Sequence, residues 1–170
     1  MANSDFYYGA YPAEYSNSLS GIFDMKMRNG NTTDFAHAVQ LGIWGFDLSS
    51  ERPINKKSGS SYLFNYRYSY SGLADKISGS DEGLNYQDLA FKINLPTKKM
   101  GTFTFWGIGL LDKIIQRPED DPKQWETSME RQEQKADFQK GAIGMAHTLS
   151  WNDNTYLRSN IGTVSYTHLR

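Results

Sequence analysis

Residues 61–72 read SYLFNYRYSYSG, with an aromatic side chain at every second position: Tyr62, Phe64, Tyr66, Tyr68 and Tyr70. Between them stand Ser61, Leu63, Asn65, Arg67 and Ser69. Successive side chains of a strand point to opposite faces, so this stretch is a strand with one oily surface and one largely polar one. Two surroundings suit such a strand, a soluble core or a lipid bilayer.

The totals narrow the partners. The 170 residues include 18 basic and 19 acidic side chains, a formal charge of -1, with no polybasic run. No electrostatic footprint for nucleic acid is present, and no basic run for an anionic membrane surface. There is no cysteine, which removes disulfides and thiol chemistry and leaves the compartment open. The hydrophobic fraction is 38% and the mean hydropathy -0.64, and no window approaches the apolar length of a spanning helix. That test is blind to membrane barrels, whose strands are apolar on one face only. The opening MANSDFYYGAYPAEY has neither a basic leader nor an apolar signal core, so an envelope protein with this sequence is expected to be a fragment.

Outward from residues 61–72 the same alternation recurs, and the chain reads as all-β. LSGIFDMKMR (19–28) sets Phe23, Met25 and Met27 against Asp24, Lys26 and Arg28, and Asn29-Gly30 suits a tight turn after it. In FAHAVQLGI (35–43), Val39 and Leu41 share a face with His37; in FDLSSERPI (46–54), Phe46 and Leu48 oppose Asp47 and Ser49. The apolar parity switches at Trp44-Gly45, as a hairpin requires. LNYQDLAFKINLP (84–96) places Leu89, Phe91, Ile93 and Leu95 opposite Asp88, Ala90, Lys92 and Asn94. TFTFWGIGLL (102–111) carries Gly107 and Gly109 in mid-strand, a mark of a bend or of another backbone close by. KGAIGMAHTLSW (140–151) and TYLRSNIG (155–162) complete about seven strands after residue 31. The charged stretch 112–137 interrupts them; Asp121, Pro122 and Gln124 there predict the capped start of a short helix bearing Trp125 and Met129.

After the Trp44-Gly45 hairpin the connections alternate short (55–60, 97–101, 152–154) and long (72–83, 112–137). Outer-membrane barrels place short turns at one end and long loops at the other, and a soluble sandwich has no such rule. Aliphatic faces such as Leu89 to Leu95 match a hydrocarbon band. Asp88, Lys92, Asn65 and Arg67 on the opposite face suit a hydrated lumen. The fold class expected is therefore a fragment of a transmembrane antiparallel β-barrel, since seven strands do not close a barrel wide enough to hold anything. The alternative is a soluble β-sandwich that binds carbohydrate through its aromatic stripe.

The run YPAEYSNSLSGIFDMKMRNGN (11–31) resembles the junction between plug and barrel in TonB-dependent outer-membrane receptors. The likeness is greatest to the Bacteroidetes type with a carboxypeptidase-regulatory-like N-terminal domain. Pro12, Ala13, Glu14, Tyr15, Asn17, Leu19, Ser20, Gly21, Phe23 and Asp24 match that pattern, and Ser16 stands where the family usually has glycine. SSYLFNYRYS, NYQDLAFKINLPTKKMGTFTFWGIG and NDNTYLRSNI also resemble early barrel strands of the family. The resemblance implies that residues 1–30 close a plug and 31–163 begin the barrel, with the Trp44-Gly45 hairpin outside and NKKSGS, TKKMG and NDN facing the periplasm. It further implies energy-coupled uptake of a bulky nutrient (glycan, siderophore or peptide) across the cell outer membrane. The implied partners are outer-membrane lipid, the TonB–ExbB–ExbD energy-coupling complex acting through a segment upstream of the plug, and in some cases a surface lipoprotein. Residues 164–170, within VSYTHLR, break the family pattern and read as a non-native tail.

No catalytic, metal or cofactor motif stands out, so the chain is not expected to be an enzyme. His37, His147 and His168 lack metal-ligand spacing, and GIGLLD lies in a strand rather than at a strand-to-helix turn. Glu119, Asp120 and Asp121 lack the alternation of a calcium loop. Asn31-Thr32-Thr33 matches a glycosylation acceptor, a short pattern with no meaning in a bacterial source. Trp125 is the one candidate for ligand contact, because an aromatic in an outer loop can stack on sugar or peptide; it can equally staple its own loop.

Overall fold

A computed structural model describes residues 4–9, 12–15, 20–70, 83–116, 118 and 134–169. It is all-β and antiparallel. Strand β1 (Ser4–Tyr8) pairs with β2 (Gly21–Met25) in a two-stranded sheet, with a short 3-10 turn at Ala13–Tyr15 between them. The remaining strands, β3 (Ala36–Gly42), β4 (Gly45–Asn55), β5 (Ser60–Tyr70), β6 (Gly83–Pro96), β7 (Thr102–Gln116), β8 (Gln134–Asn152) and β9 (Thr155–Leu169), form one sheet in chain order. Each strand makes its main contacts with its sheet neighbours, and β3 and β9 are the two edges. Among the described residues no second layer covers this sheet, so the two packed layers of a sandwich are not formed here.

Register sorts the side chains onto two faces. Tyr62, Phe64 and Tyr66 lie beside Ile93, Phe91 and Leu89 of β6 and beside Arg52, Ser50 and Leu48 of β4. Phe105, Met145, Ile143 and Ile161 continue that face across β7 to β9. The opposite face carries Asp47, Ser49, Glu51, Asn65, Arg67, Asp88, Lys92, Asn94 and Thr104. It also carries Trp106, Ile108 and Leu110 on β7.

Hydrophobic burial does not hold this sheet together from within. Among the described residues only Gly30, Ser60, Ser61 and Gly107 are buried, none of them a large apolar residue. Backbone ladders and cross-strand pairs do the local work. Phe46 lies 5.6 Å from Tyr68 and 6.0 Å from Tyr66, centroid to centroid. Gly107 leaves room for the Phe91 ring: a Cβ there would sit 2.8 Å from Phe91 Cζ and 3.2 Å from Ile143 Cγ2. The mid-strand glycine Gly107 thus accommodates neighbouring side chains, where the sequence suggested a bend or a second backbone close by, and Gly109 faces open space.

Several boundaries differ from the sequence reading. β1 was not foreseen; its DFYY is too short to show a period, and only pairing with Gly21–Met25 makes it a strand. β2 stops at Met25 instead of running to Arg28, because residues 26–31 peel away onto the polar face of the large sheet. Asn29-Gly30 makes no hairpin turn, for Gly30 lacks the positive φ such a turn demands. The interruption expected over 112–137 is shorter. β7 runs to Gln116 and β8 starts at Gln134, with Lys113 opposite Asp137 as a cross-strand pair of opposite charge. β9 pairs with β8 as far as Leu169, through the residues set aside as a tail. The predicted helix from Asp121, with Trp125, lies outside the described residues.

Candidate functional site

The most elaborated polar site is a strap, residues 26–31, laid over the polar face of β4 to β6. The Arg28 guanidinium forms a two-pronged ion pair with Glu51, and its Nη2 donates to Oε1 at 2.8 Å. Glu51 Oε2 also accepts the Asn31 backbone N–H at 3.0 Å. Lys92 Nζ donates to the Met27 carbonyl at 2.6 Å. Gly30 is buried against the Tyr62 backbone carbonyl, so close that a Cβ at this position would overlap the oxygen. Glycine is needed here for proximity alone. Past the strap, the Asn31 side-chain oxygen accepts the Thr33 and Asp34 N–H groups at 2.9 and 3.0 Å, a local turn.

Around the strap the polar side chains satisfy one another. Asn65 Nδ2 donates to Asp47 Oδ1 at 3.0 Å, Arg67 Nε to Asp88 Oδ2 at 2.7 Å, and Thr104 Oγ1 to Asn94 Oδ1 at 3.2 Å. Arg67 also lies over the Tyr86 ring, 5.4 Å from its centroid. At the foot of the strap, Lys26 bridges Asp5 and Asp24, each at 3.2 Å. Its hydrogen bonds to these carboxylates hold the ammonium above the ordinary lysine pKa.

Of the junction residues singled out by sequence, Tyr15 and Asp24 meet, the phenol donating to Asp24 Oδ2 at 3.2 Å. The Pro12 carbonyl accepts the Tyr15 N–H at 3.0 Å. Gly21 pairs with Tyr8 and packs under the Phe6 ring. Ser20 is exposed just before β2, and Glu14 lies in the 3-10 turn. Trp125 lies outside the described residues. The strap itself was missed: Arg28, Glu51 and Lys92 are far apart in sequence, and the only local sign was a glycine that suited a turn.

Glu51→Gln is expected to weaken strap closure by about 1 kcal/mol. Gln keeps an acceptor for Asn31 but loses the ion pair, whose Arg28 partner is 44% exposed and therefore screened. The check is amide hydrogen exchange at Asn31, about fivefold faster in the variant.

On the other face the apolar stretch crosses the strands obliquely. On β4, Phe46 and Leu48 sit next to the Ile43–Trp44 turn, and polar Ser50 and Arg52 follow toward the short-turn end. On β6 the apolar run is Leu89 to Leu95, with Asn85 and Gln87 on the Trp44 side. On β8 it is Ile143, Met145 and Leu149, with Asp137 and Gln139 on that side. On β9 it is Leu157 and Ile161, and Thr163, Ser165 and Thr167 lie beyond. Followed through the register over these four strands, the band slides toward the short turns by about one residue per strand; β5, aromatic from Tyr62 to Tyr70, and β7, with Leu111 on the Trp44 side, do not mark its edge. With about 3.3 Å per residue and about 4.8 Å between strands, the slope is roughly 35°. His147 belongs to this face, its ring stacked 4.3 Å from Phe103 and its Nε2 2.6 Å from the Met100 carbonyl.

Among the described residues no group of His, Cys, Asp and Glu could hold a metal ion, and no helix is long and apolar enough to cross a membrane. The depressions in the sheet are shallow; the most apolar, about 510 Å³, lies over Phe91, Phe105, Ile143 and Ile161. Compared with known proteins, the chain matches no family model, no curated protein and no solved structure.

Proposed function

We propose that the seven-stranded sheet is an arc of an outer-membrane β-barrel wall and that residues 1–30 are the end of a plug resting against its inner face. The whole is then a TonB-dependent receptor that takes up a bulky nutrient. On this reading the chain is not an enzyme. Its partners are lipid outside and, through a segment upstream of the plug, the inner-membrane energy-coupling complex.

The observation that supports it best is the tilted apolar band. Barrel strands lean roughly 35–45° from the membrane normal, so a level hydrocarbon slab marks successive strands at successively shifted residues. A band sliding by about one residue per strand is what such a slab leaves. Side chains that find no core within the described residues, among them Val39 (65% exposed), Ile143 (57%) and Ile161 (71%), then meet lipid. Trp44 at one end and Trp151 at the other suit the two interfaces. The ion-paired face becomes the hydrated interior, and the strap the passage from plug to wall.

Two measurements test the proposal. In plain buffer the chain is expected to aggregate through its open edges β3 and β9 and to become monodisperse only in detergent or lipid; a monodisperse monomer in buffer would favour a soluble binding module. For the import role, disrupting the gene that holds this sequence should abolish growth on one class of nutrient among glycans, chelated iron and peptides. Unchanged growth on all three, in a strain without a second receptor of the kind, contradicts it.

A further inference from the structure

The geometry points to an anionic-phospholipid site at the short-turn end of the sheet, formed by Lys56 and Lys57 of one turn and Lys98 and Lys99 of the next. The two lysine pairs are distant in sequence and form no basic run, but the register places their turns side by side. Ser61 pairs with Asn94, and Gly59 of the first turn lies against Pro96, a Cβ there being 3.9 Å from Pro96 Cγ. With one strand pair between their centres, the turns are about 10 Å apart.

Both turns are held by groups other than the lysine side chains. In the first, Asn55 Oδ1 accepts the Lys57 N–H at 2.9 Å, and Gly59 takes a φ of 72°. In the second, Thr97 Oγ1 accepts the Met100 N–H at 3.0 Å, and Gly101 takes a φ of 76°. The four ammonium groups are left exposed, and among the described residues none has an ion-pair or hydrogen-bond partner. Beside each pair stands an exposed apolar residue, Ile54 (53%) and Met100 (63%), and the third turn adds Trp151. Asp153, in that third turn, is the one acidic residue in the three.

Lysines at phosphate depth, with apolar and aromatic neighbours one step toward the hydrocarbon, match the layering of a phospholipid surface and not that of a free anion in water. The site rests on the membrane reading above and names the lipid that this end of the wall contacts: an anionic phospholipid headgroup of the leaflet at the short turns. The loops at the other end carry no comparable cluster among the described residues; the turn there is Ile43–Trp44.

The test is partition of the full chain between buffer and two kinds of vesicle, phosphatidylcholine alone or mixed with phosphatidylglycerol. The wild type is expected to favour the anionic vesicles at least tenfold, on the order of fivefold per engaged lysine. The preference should fall with added salt. The K56Q/K57Q/K98Q/K99Q variant should bind both vesicles as the wild type binds phosphatidylcholine. Equal binding of the wild type to both vesicles, or an undiminished preference in the variant, overturns the lysine site and leaves the membrane reading standing. Inorganic phosphate that displaces the chain better than chloride at equal ionic strength overturns it in favour of a free anion. Failure to bind either vesicle overturns the membrane reading, and the site with it.

Discussion

Replacing Ile143 by arginine is expected to destabilise the membrane-inserted sheet by about 1–3 kcal/mol, whereas Ala90→Arg should cost less than about 1 kcal/mol. Ile143 lies at the Trp44-side end of the apolar band on β8, between Gly107 and Thr163, and is 57% exposed, so in the proposed setting it faces hydrocarbon. Ala90 lies on the opposite face between Asn65 and Ile108, where an arginine can reach water and Asp88. In a soluble protein with Ile143 at the surface, the order would reverse or vanish. Urea titration of the protein folded in lipid distinguishes these outcomes.

Gly30→Val is expected to release the strap. Its Cβ would overlap the Tyr62 carbonyl, a backbone atom fixed by the β4–β5 ladder, so the strap must lift. Lifting it breaks the Arg28–Glu51 pair, the Asn31–Glu51 bond and the Lys92–Met27 bond together. A loss of about 2–3 kcal/mol of local closure corresponds to amide exchange at Asn31 faster by about 30- to 150-fold, with the amides of β7 and β8 unchanged. An unaltered Asn31 rate would show that the strap is not held by close approach at Gly30.

The strands were legible where alternation is local. Tyr62 to Tyr70 and Leu89 to Leu95 announce their faces because a side-chain period of two needs no tertiary information. The hairpin at Trp44-Gly45 was legible from the parity switch, and the structure closes it with Gly42 opposite Gly45. What escaped depends on residues brought together from afar. Residues 26–28 alternate as a strand should, yet Glu51 and Lys92 draw them out of β2. Residues 112–116 look like charged loop until Lys113 is seen opposite Asp137. The slope of the apolar band is likewise invisible in any single strand, since it exists only once the registers of neighbouring strands are set side by side. The lysine pairs at the short turns became one patch for the same reason.

The central claim is that lipid, not protein, covers the face bearing Phe91 and Ile93. The most direct measurement places single cysteines at Ala90, Phe91, Lys92 and Ile93 of β6, in the whole protein in its membrane, and reads their reaction with a water-soluble maleimide. Labelling at positions 90 and 92 with protection at 91 and 93 is the predicted result. Free labelling at 91 and 93, or a compact two-layer unit formed by residues 32–162 in buffer, would contradict it.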